Sequence, residues 1–105
     1  MLRSVGQTRV TDSGEDPRVT GLRAAVSRLR RELAAHPGRF SDREVAEEEL
    51  AVLAEMAARG DPDIARMRRA LLLIAGAIGS VSALAPGVLA VRNAVDMFGE
   101  VPRQR

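Results

Sequence analysis

The chain has 105 residues, 16 Arg against 14 Asp plus Glu, and a net charge of only +2, which allows one domain with a modest core and argues against a general polyanion binder. It has no Cys, which excludes disulfides and thiol chemistry. Its two aromatics, Phe40 and Phe98, form no stacking platform for single-stranded nucleic acid. Every basic residue is Arg and none is Lys, so the high pI reflects a group that keeps its proton to very high pH, not a large net charge.

Residues 1–15 mix Gly, Ser, Thr, Asp and Arg without periodicity and read as a disordered N-terminal tail. They contain no apolar run like that of a signal peptide, so the expected location is the cytoplasm. A first helix is expected from Asp16-Pro17, a cap residue followed by Pro at the first helical position. Val19, Leu22, Val26, Leu29 and Leu33 then recur at spacings of three and four, an apolar seam with Arg28, Arg30, Arg31 and Glu32 on other faces. His36-Pro37-Gly38 stops it.

Ser41 and Glu44 have the spacing of a capping box, and Phe40 with Val45 that of a hydrophobic staple, so a second helix is expected from Asp42 to about Arg59. Its inner face would carry Val45, Ala46, Leu50, Leu53, Met56 and Ala57, with Glu55 and Arg59 paired at i,i+4. Gly60 ends it, and Asp61-Pro62 is expected to open a third helix, folded back as an antiparallel hairpin across so short a connection. Ile64, Met67, Leu71, Ile74, Ile78 and Val81 continue the three-four seam. Ala75, Gly79, Ala83 and Gly87, four apart, form a ladder of small residues that would let another backbone approach closely. Pro86 either kinks this helix or starts a fourth, which would present Leu84, Val88, Val91, Val95 and Phe98. Gly99 and Pro102 close it before a basic tail, 100–105.

Ala70 to Val91 is an uncharged run of 22 residues. As one helix it would rise roughly 33 Å, against a bilayer core of about 30 Å. Two readings therefore compete: the centre of a water-borne bundle, or a single span of the inner membrane with the N-terminus inside. If Pro86 breaks the helix, the stretch before it rises only about 24 Å, too short to cross. That favours the bundle, as does the seam running unbroken into the run from charged sequence.

Catalysis finds little to work with. There is one His and no Cys, Tyr or Lys, and no Gly-rich phosphate loop or nucleophile turn. No enzyme activity, cofactor or metal is expected. His36 reads as a helix C-terminal residue, and Glu47, Glu48 and Glu49 as a solvated acidic face, because consecutive helical positions point about 100° apart. Arg66, Arg68 and Arg69 read as the solvated start of a helix, or in the membrane reading as its cytoplasmic anchor. Arg28, Arg30 and Arg31 could meet DNA phosphates in a helix-turn-helix, a third reading weakened by Glu32 and the small overall charge.

DPRVTGLRAAVSRLRRELAAHP (16–37) and RRALLLIAGAIGSVSALAP (68–86) together resemble a family of small uncharacterised proteins of high-GC actinobacteria, of unknown function. The resemblance carries no catalytic motif and implies no site. The second segment is also similar to small helical modules that mediate self-association in signalling or defence proteins. The expected architecture is all-α: a small antiparallel bundle of three long helices and a short fourth after Pro86, over 16–99. The expected work is association, as a homo-oligomer or as an adaptor for another helical protein. It would dock through Leu22, Val26, Leu29 and Leu33, or through Ala75, Gly79, Ala83 and Gly87.

Overall fold

A computed structural model describes residues 16–38 and 42–99, and among them the protein is all-α. Helix α1 spans Pro17–Ala35. Asp16 caps it as expected: its carboxylate accepts the Arg18 backbone N–H at 2.8 Å, and the Arg18 guanidinium folds back onto the same carboxylate at 2.8 Å. Those contacts, the guanidinium first and the backbone N–H second, hold the Asp16 carboxyl below the usual carboxylate range. All five residues of the first seam are buried. His36 is the C-cap, its N–H donating to the Leu33 carbonyl at 3.1 Å.

Helix α2 spans Arg43–Arg59. Ser41 and Phe40 lie outside the described residues, and with them the expected box and staple. Asp42 stands at the cap position without a side-chain capping bond. Ala46, Leu50, Leu53, Met56 and Ala57 are buried as expected, whereas Val45 is 37% exposed. The helix stops at Gly60, the one described residue with positive φ (68°), whose N–H reaches the Met56 and Ala57 carbonyls.

Helix α3, Ile64–Ile78, begins later than expected. Asp61-Pro62 forms the connection, and Asp63 is the cap, accepting the Arg66 N–H at 3.1 Å. Ile64 is largely exposed, and Met67, Ala70, Ile74 and Ile78 face inward. The helix also ends earlier than the seam suggests. Gly79, a poor helix residue, closes the last turn with its N–H on the Ala75 carbonyl at 2.8 Å, and Val81 is extended. A single 3₁₀ turn, Ser82–Leu84, leads into α4, Ala85–Gly99. Pro86 thus sits in the first turn of a new helix, where its missing N–H costs nothing. At 15 residues α4 is as long as α3, not a short appendage.

The break overturns the membrane-span reading of Ala70–Val91. Each 15-residue helix rises about 22 Å, and no helix among the described residues is long and apolar enough to cross a membrane.

Each helix packs on its two neighbours in a ring, α1 on α2 and α4, α3 on α2 and α4. Arg18 at the start of α1 lies over the Phe98 ring at the end of α4, 4.9 Å from its centroid. Arg43 and Arg23 make the matching end-to-start contacts between α1 and α2, and α3 and α4 turn back on each other after Val81. Consecutive helices are therefore antiparallel. Nineteen hydrophobic residues, Leu84 of the 3₁₀ turn among them and the others from all four helices, make one core, with no buried polar side chain among the described residues.

Candidate interaction site

The site is a groove along the outer side of α3 and α4. Leu72 of α3 is 72% exposed and Leu89 of α4 53%. Beside them and towards the turn lie Ala75, Gly79 and Ala85, too small to fill the space that larger side chains would close. Because the helices run antiparallel from the turn, Gly79 and Ala85 mark one end. Arg68, Arg92 and Asp96 stand towards the other.

Local sequence explains each wall. Arg68, Leu72, Ala75 and Gly79 follow one another at helical spacings of four, three and four on α3, a stripe displaced from the buried Met67, Ala70, Ile74 and Ile78. Ala85, Leu89, Arg92 and Asp96 do the same on α4, beside the buried Val88, Val91, Val95 and Phe98. Arg68, Arg92 and Asp96 are exposed and make no ion pair or hydrogen bond among the described residues. The Arg68 guanidinium instead lies against Gly99, where a Cβ would collide with it. A cation there meets the negative end of the α4 dipole.

Of the residues singled out beforehand, Leu22, Val26, Leu29 and Leu33 are at most 1% exposed. They hold α1 in its own core, and docking through them would require opening the bundle. The small-residue ladder does not survive as one face. Its four-residue period follows a helix only to Ile78. Ala75 and Gly79 border the groove, and Ala83 is exposed in the 3₁₀ turn. Gly87 turns inward on α1, where a Cβ would stand 2.9 Å from Leu29 Cδ1 and 2.5 Å from Glu32 Oε1.

The triple Glu run does not converge. Glu47 pairs with Arg43 at 3.3 Å, Glu49 lies 3.0 Å from Arg66 Nη1 across to α3, and Glu48 is exposed. The Glu49–Arg66 pair is partly buried, and neither facing atom makes a hydrogen bond. Arg28 is held by Glu32 at 2.9 Å, and Arg31 donates to Ser27 Oγ at 3.0 Å, which ties down two of the three Arg that might have met phosphate.

Two arginines missed by sequence reasoning lock α1 to α2. Arg43 donates to the carbonyls of His36 (3.3 Å), Gly38 (3.2 Å) and Leu33 at the end of α1. Arg23 donates to the Ala57 carbonyl at 3.0 Å, near the end of α2. Each guanidinium satisfies carbonyls a helix end leaves open. Nothing in spacing along one helix announces a bond to the end of another. Leu72 and Leu89 lie within the uncharged run from Ala70 to Val91, and their exposure follows from which faces of α3 and α4 pack inward.

Fold and site together define, among the described residues, a small four-helix bundle with an open apolar groove between its last two helices. Residues 11–99 match a family of unknown function, DUF5955, and the chain belongs to that family. Comparison with curated proteins and with solved structures gave no match.

Proposed function

We propose that the protein is a non-enzymatic association module that docks helix on helix through the α3–α4 groove, primarily with further copies of itself. The observation that carries this is the pairing of two large exposed side chains, Leu72 and Leu89, with the small residues beside them in one groove. Water-exposed leucines flanking a recess lose apolar exposure when a complementary surface closes over them, about 25 cal/mol for each Å² covered. Among the described residues, no large apolar side chain of α1 is exposed.

Light scattering on a sizing column, in buffer without detergent, tests the reading. A dimer or larger multiple is expected for the native chain, and Leu72→Glu with Leu89→Glu should reduce it to monomer at unchanged helicity. A native chain that elutes as a monomer at every concentration loaded would overturn self-association.

A further inference from the structure

The groove has a polarity that points to one particular partner. With the same 1.5 Å rise along both helices, the antiparallel pair sets Gly79 beside Ala85, Ala75 beside Leu89, Leu72 beside Arg92, and Arg68 beside Asp96. One end is therefore small and uncharged, and the other carries opposite charges that have no partner in the chain among the described residues.

Two copies can close such a groove face to face about a two-fold axis lying in the interface, either across the helices or along them. An axis across them lays the charged end of each copy on the Gly79–Ala85 end of the other, leaving Arg68 and Asp96 covered without partners. An axis along them lays α3 on α4 of the second copy with the charged ends together. Arg68 then meets Asp96 of the second copy, twice by symmetry. Leu89 of each copy meets Ala75 of the other, a large side chain over a small one, and Leu72 lies along the aliphatic stem of Arg92. Covering charges without pairing them is costly, so the second arrangement wins.

We infer that the groove's occupant is a second copy of this chain, docked about a two-fold axis parallel to α3 and α4, with Arg68 of each paired to Asp96 of the other. This rests on the self-association reading above and adds the geometry of the contact.

A charge swap tests it. Asp96→Arg and Arg68→Asp each place like charges in both symmetry-related pairs, so each alone should raise the dimer dissociation constant about tenfold or more. Mixed in equal amounts, the two variants restore both opposite-charge pairs, and the mixture should regain dimer mass. At concentrations where all are monomeric, circular dichroism should show unchanged helix content in both variants, with Arg68→Asp melting slightly lower because an acid replaces the cation at the end of α4. The cysteine-free sequence allows a second, independent readout. Copies carrying Ala75→Cys and copies carrying Leu89→Cys should form a mixed disulfide on oxidation, faster than either pairs with itself.

If the native chain dimerises but mixing rescues nothing and like cysteines pair preferentially, this geometry is wrong and self-association stands. A native chain that never dimerises removes both.

Discussion

The two helical hairpins of this bundle are built on different terms. In α1 and α2 the large apolar side chains are buried apart from the exposed Val45 and the half-buried Val52, and charged residues cover the outside. Their ion pairs lie within a helix and its cap (Asp16–Arg18, Arg28–Glu32, Arg43–Glu47, Glu55–Arg59) apart from Glu49–Arg66, which crosses to α3, while Arg23 and Arg43 clasp the end of the opposite helix. In α3 and α4 the apolar residues outnumber the inward positions. Ile64, Leu72, Leu73, Leu89 and Met97 remain exposed, and no ion pair joins the two helices among the described residues. The first hairpin is complete as a folded object. The second leaves apolar surface over, and that excess is the physical ground for reading it as the side that meets a partner.

Substitutions can break or sharpen this contrast, taken from the largest expected effect down. Leu50→Ala in α2 removes a side chain with no exposure and should cost about 2–5 kcal/mol in urea denaturation. Leu72→Ala in α3, measured on dilute protein where association is absent, should change stability by no more than about 0.5 kcal/mol. Equal costs would mean that Leu72 is covered within the monomer.

Gly79 decides where α3 ends. A Cβ there would run into the Ala75 carbonyl oxygen, a backbone atom that cannot step aside cheaply. Gly79→Ala should therefore destabilise by roughly 1–3 kcal/mol, the scale of local backbone strain. A gain in thermal stability would instead reveal a helix continuing through 79, and with it a different groove.

Arg43→Met keeps the apolar stem and removes the fork that serves the end of α1. Because the side chain is partly screened by water, a loss of about 1–2 kcal/mol is expected in chemical denaturation. Faster amide exchange should appear at the last turn of α1 and not in α3 or α4.

The smallest effect belongs to Asp16. Its folded-state carboxyl titrates below its unfolded value, so its contribution is present above the unfolded value and fades as pH falls through the folded one, a window below about pH 4. Asp16→Asn, which still offers a cap oxygen, should flatten that part of the stability–pH curve, losing a little stability at neutral pH and matching the native chain below the window. An unaltered acid limb would show that the cap contributes nothing to it.

Much of the bundle was legible along the chain because helix signals are local. The three-four spacing from Val19 to Leu33, the Asp16-Pro17 start and the Gly60 stop each depend on residues within one or two turns, and each reappears in the structure. Asp63 in place of Asp61 was missed because both acids could cap, and only the path of the connection chooses between them. The small-residue ladder failed for a sharper reason. A period of four means one face only while the helix lasts, and Gly79 with Val81 ends it before Ala83 and Gly87 are reached.

Periodicity and caps are properties of neighbouring positions, so the helical class, most of the boundaries and the inward seam of each helix were readable along the chain. Tertiary structure decided that the 22-residue apolar run is two helices meeting at a turn. It buried Leu22 to Leu33 in the core, sent Arg23 and Arg43 to the ends of helices other than their own, and left Leu72 and Leu89 outside. Those outcomes depend on how many inward positions four packed helices can offer, a quantity that exists only once all four are in place.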